Sequence, residues 1–498
     1  MAAGASAGMS ATDDGVTMPA TATDGDPSGA DPGDGMASNS QSSGDGQPAP
    51  VPAASPAPSA NGETPAASDQ TAPPAEDNGM PTEDIEPPLP DGSATDTLAN
   101  SAAAAVPLPA NPALDEQFSA WDLSQVESPL FLSAAIDEFN DRPILLTGNW
   151  SVKPHLSIGT FYDGNVFLRS QNTQSDIITR VAPGITMRLG DSDSMFYLMA
   201  DYTVGFNAYL TNSSLSTIDQ DGRAQLQWSL PKTTIGLTLE VSTDVGQDVD
   251  LGDRVRQDIY FAGVTTHYAF GEKTSFDFDA DYTRSDYQGF ISSSQWAGDL
   301  FMNYQYSPKT QVGLGGGLGY LIVPGSPSQL FEQANVRATY KATGKLTFIG
   351  EAGSEFRQYR SGKGDTLTPV FMIEAAWAAR EGTTLDLSAR RTVYASALLY
   401  DQDYTSTSVD FSVTQRITDY VDVSLGAGYV NADYTSTSAS VNATRTDNYF
   451  YIRPAVEWKA LDWLSVGIFY QYSQDLSNGG DANSFTRDQA GVDLAILF

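Results

Sequence analysis

The sequence predicts an all-β protein, a closed antiparallel transmembrane β-barrel of about eighteen strands preceded by a long disordered acidic arm. Three observations carry this. Long segments after Ser151 alternate apolar and polar residues with period two. Short and long polar connections take turns between those segments. The first 112 residues have a composition that cannot form a core.

The arm comes first. Residues 1–150 hold 23 Asp and Glu and one basic residue, Arg142, whereas residues 151–498 hold 39 acids and 25 bases. No aromatic residue precedes Phe118. Residues 1–112 contain 18 of the 28 prolines, set among Ala, Ser, Thr, Gly and Asp. Such a segment cannot bury enough apolar surface to offset ~1–2 kcal/mol of backbone entropy per residue. Disorder, part coil and part polyproline II, is expected over 1–112. Its functional reading is a tether toward a partner or cell-wall polymer, and its plain reading is a passive linker. In 113–150, Leu114, Phe118 and Trp121 are spaced for one helical face. Leu130, Ala134, Ile136 and Phe139 suggest a second short amphipathic stretch, ended by Arg142-Pro143. This piece is either a plug or a docking segment for another protein.

The folded unit is 151–498. In it Leu464, Val466, Ile468, Tyr470 and Tyr472 share one strand face, and Ser465, Gly467 and Gln471 the other. The polar face of 276–282 is three aspartates, and that of 311–320 is mostly glycine. Soluble sandwiches use strands of ~5–6 residues. Here the alternation runs for about ten to fifteen, the length of a wall with lipid outside and water inside. Backbone groups in a bilayer must pair within the protein, so the sheet has to close.

Short connections fall at Gly190–Asp193, Pro231-Lys232, Gly271–Lys273, Pro308-Lys309, Thr343–Lys345, Arg380–Gly382, Thr418–Tyr420 and Lys459–Asp462. Longer ones fall near 164–175, 211–218, 244–255, 287–293, 323–328, 360–366, 395–402, 434–446 and 475–484. Eight turns and nine loops join eighteen strands. Sixteen is the alternative count, because 176–189 and 328–341 alternate less cleanly. An even number with both ends on the short-turn side is the bacterial outer-membrane arrangement. Val492, Leu494, Ile496 and Phe498 share one face of the last strand. A terminal aromatic there resembles the signal read by the outer-membrane barrel assembly machinery, with Phe498 as its key residue. Tyr and Trp gather at strand ends, as interfacial girdles require.

Several classes are excluded. There is no cysteine for disulfides, thiolates or zinc, and only His155 and His267. A net charge of −36 argues against nucleic-acid binding. No run of about 18 apolar residues offers a membrane helix, and the opening Met1-Ala-Ala-Gly lacks the n- and h-regions of a signal peptide. Membrane-embedded barrel hydrolases need a Ser–His or Asp–His pair at a defined place and no strand offers one, while carboxylate pairs are too common in this chain to signal glycoside hydrolysis. No enzyme, cofactor or metal site is therefore expected. Asp277, Asp279 and Asp281 stand ~6.5–7 Å apart along their strand, too far to share a divalent ion without a neighbouring strand.

Two segments carry a resemblance. Tyr162-Asp163-Gly164-Asn165-Val166-Phe167, then Ser175-Asp176 followed by Pro183-Gly184, resemble the start of the putative β-barrel porin type 2 proteins. The resemblance implies an outer-membrane barrel, and similar barrels sit in exopolysaccharide export systems. Parity along the strands directs fourteen acids and ten bases inward. The candidate lumen charges are Asp277, Asp279, Asp281, Glu351, Glu355, Arg357, Glu374, Arg390, Arg416 and Asp422. Acid-rich pore linings favour cations, whereas the plain reading is cross-strand pairing. The expected function is a porin-like outer-membrane channel for small solutes, weakly cation-preferring. The alternatives are an exopolysaccharide-export barrel and a closed structural anchor. Expected partners are outer-membrane lipid, the assembly machinery, and a periplasmic or polysaccharide-export partner met by the arm.

Overall fold

Period-two alternation becomes hydrogen-bonded ladder from Trp150 onward. The computed structural model describes residues 145–147, 149–190, 194–248, 250–361, 363–479 and 483–498. The expected disorder of 1–112 and nearly all of the 113–150 piece lie outside them. A three-residue strand, β1 (Leu145–Thr147), is followed by β2 (Trp150–Asp163), β3 (Asp176–Leu189), β4 (Phe196–Tyr209), β5 (Thr217–Ser229) and β6 (Thr233–Asp248). Next come β7 (Asp253–Ala269), β8 (Thr274–Tyr287), β9 (Ser293–Ser307), β10 (Thr310–Ile322), β11 (Gln329–Thr343), β12 (Leu346–Tyr359) and β13 (Thr366–Arg380). The last six are β14 (Thr383–Ala395), β15 (Gln402–Thr418), β16 (Val421–Ser436), β17 (Thr446–Leu461), β18 (Leu464–Ser477) and β19 (Phe485–Leu497).

Each strand from β2 onward pairs antiparallel with the next, and β19 returns to β2 from Gln489↔Asp163 to Leu497↔His155. The eighteen long strands thus form a ring with no free edge, which leaves no strand backbone unpaired against lipid. The alternative of sixteen fails because the weakly alternating segments are β3 and β11. The barrel begins at Trp150, and β1 adds a short antiparallel pairing with the start of β2 (Leu145↔Val152). Seven of the eight predicted turns lie among the described residues at one end, together with both ends of the β2–β19 circuit, while 191–193 of the other fall outside them.

One connection differs from its prediction. The long polar loop expected at 244–255 is a continuation of the β6–β7 hairpin, laddered as far as Asp248↔Asp253. Its tip does not face lipid, so nothing requires the apolar alternation by which strands were recognised.

Polarity is inverted relative to a water-soluble fold. Leu300, Leu314, Leu318 and Ile468 are exposed on the outer face, while Asp163, Glu355, Arg357 and Arg487 are buried inside. On β9 the outward Trp296 and Tyr306 lie ten residues apart, roughly 34 Å along the strand. At a tilt of ~40° that rises about 26 Å, close to the apolar belt of outer-membrane barrels. Trp228, Tyr268, Tyr304, Trp458 and Trp463 are exposed at the turn end, forming a girdle.

Candidate functional site

The inner wall is built from rows in which a glycine lets two side chains meet across it. Asn303, Gly313 and Arg337 are aligned on β9, β10 and β11. A Cβ at Gly313 would lie 2.5 Å from Asn303 Oδ1 and 2.8 Å from Arg337 Cγ. With that space open, Arg337 Nε donates to Asn303 Oδ1 at 2.8 Å. Likewise His155 crosses Gly184 to Thr203 (3.1 Å), and the Tyr451 hydroxyl crosses Gly428 to donate to Asp410 (3.2 Å). The glycines seen in the sequence as a featureless polar face are the gaps that let this network lie flat.

Asp277 is the centre of one such network. It binds His267 Nδ1 (2.5 Å) and accepts from Asn303 Nδ2 (2.9 Å) and from Arg337 Nη2. The expectation that the strands offer no Asp–His pair fails: adjacent β7 and β8 form one, because register places His267 opposite Asp277. The stripe does gain a neighbour's help: Asp299 of β9 stands opposite Asp279, with Asp281 two residues along. Among the described residues no group of three His, Asp or Glu is arranged to hold a metal ion.

Glu351, Glu355, Arg357 and Arg390 line one recess of about 140 Å³ with Asp299 and Asn335. Within it Arg357 and Glu355 compensate one another. Arg357 Nε donates to Glu355 (2.7 Å), Arg357 Nη1 to Gln329 (2.9 Å), and Gln329 Nε2 to Asp403 (2.9 Å). The guanidinium also lies 4.8 Å from the Phe331 ring centre. Glu374 sits opposite Ser388 on the inner face of β13, apart from the recess lining. Arg416 and Asp422 lie at the turn-end rim, where Asp422 pairs with Arg416 at 3.5 Å and Lys459 at 3.4 Å. Phe498 faces outward, half-exposed.

At the loop end, two lobes close over the lumen. The first is the 164–175 connection, whose Val166 and Leu168 are buried. Val166 packs with Ile178, Tyr209 and Phe469, and Leu168 with Val430, Tyr449 and Phe485. The quoted motif residues staple it. Asp163 accepts from Asn165 N (2.9 Å), Asn165 Nδ2 donates to the carbonyls of Arg169 (2.8 Å) and Thr486 (3.0 Å), and Asp176 accepts from Thr211 N (2.9 Å) and Asn212 N (2.7 Å).

The second lobe joins 250–252 to the β14–β15 connection, 396–401. Asp250 accepts from Ser396 Oγ (3.0 Å), Ala397 N (2.6 Å), Leu398 N (3.3 Å) and the Tyr434 hydroxyl (2.7 Å), with Arg445 Nη1 at 3.8 Å. Burial pushes the Asp250 carboxyl above the ordinary carboxylate range, against the pull of Tyr434 and Arg445. Leu251 and Val255 pack there with Ala397. Asp250 and Arg445 escaped the sequence reading because they lie on connections, where period two says nothing about direction.

A charged inner wall inside an apolar outer belt is the arrangement of a membrane-spanning barrel, and one comparison adds to it. Residues 365–498 match the model of the family "Putative beta-barrel porin 2". Over that stretch, about a quarter of the chain, it is similar to this porin family. The match covers β13 to β19, while the two resembling motifs lie near the other end of this porin-like barrel. Similar solved structures include the outer membrane protein OpdK from Pseudomonas aeruginosa, at 12% identity and TM-score 0.40, covering 70% of this chain and 99% of that one. OccAB3 from Acinetobacter baumannii is 10% identical with TM-score 0.38, at 70% and 99% coverage. The siderophore receptor PirA of P. aeruginosa is 10% identical with TM-score 0.36, at 72% and 81% coverage. No curated protein sequence matches the chain.

Proposed function

We propose that this porin-like barrel is a channel for passive diffusion of small polar solutes, weakly preferring cations, and acts without catalysis. The observation that carries the reading is the inverted wall, with polar and charged groups inside and large apolar ones outside. The cation preference rests on the inward tally of fourteen acids to ten bases, with Asp277, Asp279, Asp281 and Asp299 sharing one patch of wall. Field focusing in a narrow lumen amplifies such an excess, and salt weakens it, the Debye length being ~8 Å at 0.15 M.

Reversal potentials in planar bilayers test this. A cation-selective value at low salt that decays as salt rises is expected, and Asp279→Asn with Asp281→Asn should lower it. An anion-selective value at low salt would refute the preference and shift weight to inward arginines such as Arg390 and to anionic cargo, including an exported polysaccharide. The lobes over the mouth favour a second reading, a closed anchor barrel, which predicts no conductance in the same recording. Assembly through the barrel machinery and a periplasmic or export contact through the arm complete the proposal.

A further inference from the structure

The β6–β7 hairpin is a finger. β5 stops pairing with β6 at Gln220↔Thr243, and β8 stops pairing with β7 at Gln257↔Tyr287, so the rungs from Val245↔Arg256 to Asp248↔Asp253 have no laddered strand on either flank. Arg254 on the finger donates to Val245 O (2.7 Å) and lies 5.3 Å from the ring centre of Tyr209, which is buried at the loop end of β4. The tip meets the 396–401 loop, which is eight strands away in a circuit of eighteen and so close to diametrically opposite. A contact between such distant strands has to span the opening rather than follow its rim.

We propose that Asp250 is a positioning residue that sets the size limit of the channel by holding the 396–401 loop across the mouth. The inference rests on the channel reading. A carboxylate suits the place because it is acceptor-only with about four lone-pair sites. It meets two backbone N–H groups, two hydroxyls and a guanidinium. An amide has one acceptor oxygen, and its NH2 would face donors on one side or the other. The loop so held is also the point where other connections converge. Ile291 N donates to Ala397 O (2.9 Å), Asp401 N to Ser326 Oγ (3.1 Å), and Thr437 N to Asp401 O (2.7 Å). Loss of the fingertip contact therefore loosens a lattice that covers the opening.

The test uses full-length protein in proteoliposomes and compares entry of arabinose with entry of the trisaccharide raffinose. Asp250→Asn and Asp250→Ala should raise the raffinose-to-arabinose rate ratio several-fold, and Tyr434→Phe should raise it less, all at an unchanged folded fraction by heat-modifiable gel mobility. Because the chain has no cysteine, Ala397→Cys supplies a second readout. Its labelling by an impermeant maleimide should rise roughly tenfold in the Asp250→Asn background, on the scale of one lost hydrogen bond to a charged group. If arabinose enters while the ratio and labelling stay unchanged, Asp250 has no such role and the channel reading stands. If labelling rises but neither sugar enters through any variant, the channel reading falls and takes the size limit with it.

Discussion

Arg487 on the last strand donates through Nε to both oxygens of Asp163 on the first barrel strand, at 3.1 Å each, and through Nη2 at 2.5 Å. Both side chains are shielded from solvent, at 2% and 0% relative exposure. The pair clamps the seam where the chain's two ends close the ring, and Asp163 also holds the turn into the 164–175 lobe.

Arg487→Ala should destabilise the folded barrel by about 3–5 kcal/mol, because it strands a buried carboxylate without its counter-charge. Replacing both residues by apolar ones of similar volume should recover much of that loss. Urea unfolding followed by heat-modifiable mobility measures it, and equal midpoints for wild type and Arg487→Ala would show the seam does not depend on the pair.

Gly428→Val should be poorly tolerated. A Cβ at this position collides with the Tyr451 ring that crosses it toward Asp410. Overpacking of this kind costs about 1–3 kcal/mol. Tyr451→Ala in the same chain should relieve most of the defect, and additive losses in the double mutant would rule out the row as a unit.

Cysteines at Asn212 and Pro231 should label from opposite sides of the membrane. Asn212 lies on the β4–β5 connection and Pro231 on the β5–β6 turn, one strand apart. Labelling of both from one side with an impermeant reagent would contradict the assigned topology.

Phe498→Ala should slow assembly and leave conductance and selectivity of the folded fraction unchanged. The side chain points outward, away from the lumen charges, and its backbone N–H already donates to Pro154 O at 3.2 Å. Altered selectivity at normal folding yield would give Phe498 a place in the pore instead.

The ring was legible because lipid imposes a rule on every residue of a spanning strand. Leu464 to Tyr472 had to alternate, and seven tight turns among the described residues stood where that alternation broke. Inward charges such as Glu355 and Arg357 followed from the same parity. Register did not follow, since nothing in their spacing shows that His267 faces Asp277 or that Asp299 faces Asp279. Nor could the mouth be read. Asp250 meets Ala397 across 147 positions of sequence, on connections under no lipid constraint. The Asp163 and Asn165 motif was visible as a pattern, but its partners at Arg487 and Thr486 lie 321 or more residues away.

Strand β1 occupies the first rungs of β2, from Thr147↔Trp150 to Leu145↔Val152, and β19 occupies the rungs from His155 onward. The two segments lie end to end along one edge of a single strand. Sliding β19 by two residues toward the turn end would drive Phe498 into the place β1 holds. In a cylinder of paired strands, the offset at the closing pair is what fixes stagger, and stagger with strand number determines width. A three-residue strand outside the eighteen-strand circuit thus fills the rungs into which the closing pair would have to slip for the tube to change its stagger.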